Sequence, residues 1–141
     1  MPIDNALHLV ESRLITAFMS NLPIGITAKN VSLPAARFAT PTNSPWARLE
    51  TPRNIFQVST DASGCYEINQ GVFVVSLFWP KGSGSQAALQ AAHAVKVLYG
   101  QPVYDDVTIT SAVLSPTPEP EDSNWYGVKI NVNFQYEGFR S

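Results

Sequence analysis

Residues 73–93 read FVVSLFWPKGSGSQAALQAAH. In an extended chain, Phe73, Val75, Leu77 and Trp79 point one way. Val74 and Phe78 point the other way, with Val72 just upstream. A strand that is apolar on both sides is covered on both sides. Pro80 ends it. Beyond the glycines, Ala87, Ala88, Ala91, Ala92, Val95 and Leu98 recur at helical spacing, which predicts a helix from Ser83 or Ser85 to Tyr99. Either serine can cap its start; Gly100 stops it, with Pro102 just beyond. The small alanine face lets this helix lie close to a sheet, so the stretch predicts a helix layer on a sheet layer.

The joint itself, PKGSGSQ, raises the question of a phosphate cradle. A P-loop needs GxxxxGK followed by Ser or Thr, with the lysine after the last glycine. Here Lys81 precedes Gly82 and Gly84, and no GxGxxG is present. The joint reads as a tight strand-to-helix bend.

Upstream, Ile3, Leu7, Val10, Leu14, Ala17 and Phe18 form the stripe of an amphipathic helix over 3–21. Asp4 or Asn5 is placed to cap it, and Asn21 and Pro23 to end it. Residues 22–45 contain Pro23, Pro34, Pro41 and Pro45, which forbid a long helix. Within this irregular segment, IGITAKN (24–30) is expected as a short edge strand and 32–45 as an arm or long surface loop. A strand is expected from Trp46 through WARLE. NIFQV (54–58) either continues it or forms a second strand, and TDASG (60–64) is a turn.

Downstream, DDVTITSAVL (105–114) predicts a strand, and SPTPEPEDSN (115–124) an exposed loop. WYGVKINVNFQYEGF (125–139) alternates cleanly. Val128, Ile130, Val132, Phe134 and Tyr136 face the core, with Lys129, Asn131, Asn133 and Gln135 opposite. The order predicts one domain, 1–141, of the α+β class: a mostly antiparallel sheet with both helices packed on one face.

Bulk numbers narrow the function. Charged residues are 14% of the 141-residue chain, well below the usual ~25%. So few charges hint that surface is covered by copies of the chain or by partners. Net charge is −2 and the nine basic residues form no stripe, so tight nucleic-acid binding is not expected. The single cysteine, Cys65, excludes an internal disulfide and a cysteine-based zinc site. The opening MPIDNALHLVESR lacks the regions of a signal peptide. No apolar run approaches the ~18 residues of a membrane span.

Candidate chemistry is sparse. His8 and Glu11 lie one helical turn apart, but a metal needs more ligands, and the only other histidine is His93 in another helix. Cys65 has no local signature of a nucleophile. GxSxG is absent. Asp105 and Asp106 are adjacent, so in a strand they point to opposite faces. Neither a catalytic residue nor a cofactor or metal is expected. Trp46, Trp79 and Trp125 fall at strand ends, where aromatics close cores or enter interfaces; Trp79 reads as core, and Trp46 and Trp125 remain open to either.

The series of an N-terminal amphipathic helix, a proline-rich stretch, WARLE, GVFVVSLFWPKGSGSQAALQAA and a closing WYGVKINVNFQYEG resembles the tail terminator (tail completion) proteins of long-tailed bacteriophages. The resemblance covers essentially the whole chain and is most specific over Gly71–Ala92, then Trp125–Gly138. It implies a small α+β virion protein, without catalytic residues or cofactor, that forms a hexameric ring. Such a ring caps the tail tube, stops its polymerisation and meets the head-side connector, and DNA passes through its lumen. Under that resemblance the candidate subunit or partner interface is Val72, Val74, Phe78, Trp46 and Trp125, with loops 51–64 and 115–124 as candidates for axial contacts. The rival readings are another neck or head-completion ring of the same virion, and a small enzyme or ligand-binding module using Cys65 or His8.

Overall fold

The computed structural model describes residues 4–34, 36–41, 43–50, 52–59, 66–81, 85–100, 107–116 and 125–139. Along the chain run α1 (Asp4–Ser20), a single 3-10 turn (Ala28–Asn30), β1 (Val31–Ser32), β2 (Trp46–Leu49), β3 (Arg53–Ser59), β4 (Tyr66–Pro80), α2 (Ser85–Leu98), β5 (Val107–Pro116) and β6 (Trp125–Phe139).

β4 and β6 are the spine. Their antiparallel ladder is continuous from Tyr66↔Phe139 to Pro80↔Trp125. β5 pairs antiparallel with the far side of β6. On the other side of β4, β2 pairs with its second half and β3 with its first half, both antiparallel. The six-stranded sheet is therefore ordered β1-β2-β4-β6-β5, with β3 beside β4. β2 and β3 act as one strand broken at Glu50–Pro52. Glu50 N–H still donates to Val74 O at 3.1 Å, but Pro52 has no N–H to continue the ladder. NIFQV is thus a strand of its own, and half of the expected loop 51–64 is β3.

The short edge strand expected at 24–30 is displaced. Gly25 takes φ +99°, a conformation open to little but glycine, and Ile26 N–H bonds back to Pro23 O at 3.1 Å. This turn and the 3-10 turn delay the extended segment to Val31–Ser32, which pairs parallel with Ala47 and Arg48. β5 (Val107–Pro116) runs further than expected, taking Ser115 and Pro116 from the predicted loop. Tyr99 and Gly100 form a turn beyond α2, with Gly100 N–H bonded to Val97 O. Ser83, the turn at 60–64, Cys65, Asp105, Asp106 and the rest of the 115–124 loop lie outside the described residues, as do the side chains of the other expected caps (Asp4, Asn5, Ser85) and of His8.

Both helices cover one face of the sheet. Val10, Leu14, Ala17 and Phe18 of α1 and Ala88, Ala91, Ala92 and Val95 of α2 pack with Phe73, Val75, Leu77 and Trp79 of β4. Val128, Ile130, Val132, Phe134 and Tyr136 of β6 join the same core. Alanine at three of the four α2 contacts sets that helix close to the strands, as the sequence predicts. Tyr99 locks the layers: its hydroxyl donates to Leu14 O at 2.7 Å, and its ring meets Phe73 edge-on at 6.0 Å. Among the described residues no helix is long and apolar enough to cross a membrane.

Candidate functional site

Strand register decides what lies on the second sheet face, away from the helices. Side chains of paired residues share a face. Trp46 pairs with Phe78, Arg48 with Ser76, and Val74 and Val72 with Asn131 and Asn133. This face divides into an aromatic half and a polar half.

In the aromatic half, Trp46 stacks on Phe78 with ring centroids 4.3 Å apart and meets Trp125 edge-on at 6.1 Å. Phe38, from the arm after β1, stacks on the outside of Trp46 at 5.3 Å. The Arg48 guanidinium lies 5.2 Å from the centre of the Phe78 ring, a cation–π contact. As a result Phe78 is 2% exposed and Trp46 8%, while Trp125 is half-buried. The arm thus covers an aromatic face that the helices do not reach. The Trp46 indole N–H is buried without a hydrogen-bond partner among the described residues, which costs about 1–3 kcal/mol.

The polar half begins beyond Val72 and Val74, which are themselves 9% and 8% exposed. Asn133 Nδ2 donates to Ser111 Oγ at 2.8 Å, Asn131 Nδ2 to Ser115 Oγ at 3.5 Å, and Gln70 Nε2 to Gln135 Oε1 at 3.4 Å. A shallow depression of about 300 Å³ is lined by Gln70, Gly71, Thr110, Ser111, Asn133 and Phe134. Amides and hydroxyls line it, without a nucleophile and base set within reach of each other.

The five interface candidates fall together on this face. Val72, Val74 and Phe78 come from β4, Trp46 from β2 and Trp125 from β6. Sequence reasoning did not single out Phe38 or Arg48. Phe38 lies in a segment with no periodicity, and its stacking partner is eight positions along the chain across two prolines, Pro41 and Pro45.

Elsewhere, α2 turns Gln86, Leu89, Gln90 and His93 outward around a surface groove of about 530 Å³. Leu89 and Val97 are 46% and 53% exposed, and Ile24 is 96% exposed. Ile24 also borders a smaller depression with Ala87, Gln90, Ala91 and Ala94. His93 is exposed and far from α1 residue Glu11 in sequence. Among the described residues no three of His, Cys, Asp and Glu are grouped to hold a metal ion. Lys81 is exposed, and the glycines that follow it lie outside the described residues.

No curated protein matches the sequence significantly. A solved protein structure superposes with a TM-score of 0.61 at 23% identity, over 92% of this chain and 98% of the other; that likeness shows the fold. Residues 8–134 match the family model described as phage tail terminator protein, a match that runs from within α1 through β1–β5 and α2 into β6. On that match the chain belongs to the phage tail terminator family, a family of structural proteins of the virion tail.

Proposed function

We propose that copies of this chain close into a ring, hexameric as the resemblance implies, which caps the phage tail tube and ends its polymerisation. The opposite side of the ring meets the head-side connector at the neck, and DNA crosses the lumen without sequence-specific contacts. The chain acts in this role as one domain. The observation that carries the reading is the family match over residues 8–134. Low charge and exposed aliphatic side chains on α2 support a chain that is covered by others in use.

The proposed contact surface is the second sheet face around Val72, Val74, Phe78, Trp46 and Trp125. Trp125 is the member that reaches solvent and touches the partner; the buried four hold it and the surrounding backbone in place. A closed ring makes head-to-tail contacts, so two different patches of each subunit must fit.

The test is tube length. Purified protein added to polymerising tail tubes is expected to arrest growth, and virions lacking it to carry tubes of uncontrolled length. Tubes that grow on unaffected by the folded protein would sink the reading.

A further inference from the structure

Among the described residues the sheet is open at β5 on one side and at β3 and the two-residue β1 on the other. Among the described residues β5 pairs only with β6, and β3 only with β4. An unpaired strand edge presents a row of N–H and C=O groups to any other strand, and natural proteins blunt such edges with charges, proline, short length or bulges. β5 uses little of this. Its ten residues, VTITSAVLSP, include no charge, and its proline is the last residue. One bulge interrupts it, between Ile109 and Ser111, leaving Ser111–Ser115 regular. Thr108, Thr110 and Ser111 are exposed and Val113 is 50% exposed, so no described element shields this strand's outward groups. β3 carries one charge, Arg53, at its start.

The two edges also match in direction. β3, β4, β6 and β5 are successive neighbours, and each adjoining pair is antiparallel. β5 therefore runs opposite to β3. Setting β3 of a second copy beside β5 of the first, in the same sheet orientation, continues the antiparallel order without reversing a subunit. The two edges lie at opposite ends of the sheet, so the contact is head-to-tail and repeats from copy to copy.

We propose that β5 of one copy pairs antiparallel with β3 of the next, so that the sheets run on from subunit to subunit. This deepens the ring reading and rests on it. Main-chain hydrogen bonds supply the affinity in such strand addition, which explains how an edge of serine, threonine and small aliphatic residues serves as an interface.

The test combines hydrogen exchange with an edge-blunting variant of the full chain. On assembly, amides in 107–116 and 53–59 are expected to slow by about tenfold or more relative to dissociated protein. The double variant Thr108→Lys/Val113→Lys changes two exposed positions. It is expected to keep the wild-type circular dichroism spectrum and to raise the subunit dissociation constant at least about tenfold. Rings that form with neither edge gaining protection would overturn the pairing and leave the ring standing, as would a folded double variant that assembles as tightly as wild type. A wild-type chain that stays monomeric both alone and on tail tubes would overturn the ring, and the pairing with it.

Discussion

Tyr99 offers the sharpest test of how the two helices are held. Its ring is fully buried between α1 and the sheet, and its hydroxyl donates to Leu14 O at 2.7 Å. Tyr99→Phe removes one oxygen and leaves the ring against Phe73. Leu14 O keeps its place in the α1 ladder, so losing this buried bond leaves no wholly unpaired carbonyl. Such a bond is worth about 0.5–1.5 kcal/mol net. For a chain of 141 residues, an unfolding entropy of about 2.1 cal/mol/K per residue converts 1 kcal/mol into a Tm drop of roughly 3 °C. Tyr99→Ala also empties the ring's volume and is expected to cost about 3–5 kcal/mol. Urea unfolding followed by circular dichroism, at concentrations where the chain is dissociated, measures both, with the slope m unchanged. The reasoning fails if Tyr99→Phe is as stable as wild type. It fails equally if Tyr99→Phe falls as far as Tyr99→Ala, since the hydroxyl would then be holding far more than one bond.

Other perturbations probe other parts of the fold. Gly25→Ala puts a Cβ at φ +99°, 3.4 Å from Trp79 Cζ2; a loss of about 1–3 kcal/mol is expected in the same urea assay. Phe73→Ala, at a site with no exposure, should cost about 3–5 kcal/mol, whereas Val113→Ala on the open edge should stay within about 0.5 kcal/mol. Val74→Asp places a charge at a position 8% exposed, and size-exclusion chromatography should find no normal folded ring; a variant that assembles normally would show that this face tolerates charge. Trp125→Ala should reduce arrest of tube growth more than its loss of thermal stability accounts for, with the two read side by side on one preparation.

The elements were legible where periodicity was strong. The two-faced run of β4 and the alternation of β6 predict a burial pattern the structure repeats residue by residue, and the alanine stripe predicts the close seat of α2. Legibility failed where backbone geometry overrode pattern. IGITAKN looks extended, but Gly25 and the bond from Ile26 to Pro23 bend it first. In β5, Ile109 and Ala112 both face the core although they are three apart. The bulge between Ile109 and Ser111 supplies the extra residue that flips the parity, and no period-2 reading of VTITSAVLSP contains it. Of the candidate surface, the five residues named from sequence do share one face. Their cover does not show in the sequence, because Phe38 reaches Trp46 from a segment that has no repeat to read.

That cover changes where the case for assembly rests. A strand apolar on both faces invites the inference that a neighbour supplies the second cover. Here Trp46 stacks on Phe78, Phe38 stacks on Trp46 in turn, and the Arg48 guanidinium lies over the Phe78 ring; Phe78 is 2% exposed within a single copy, so its hydrophobicity is accounted for without a neighbour. Among the described residues, what one copy leaves uncovered is of another kind: an uncharged ten-residue edge at β5 and aliphatic side chains at Leu89, Val97 and Ile24. Charges would normally guard both features in a protein that works alone, and this chain has few to spend. A neighbour is therefore called for by the ends of the sheet and the back of α2, more than by the strand that first suggested one.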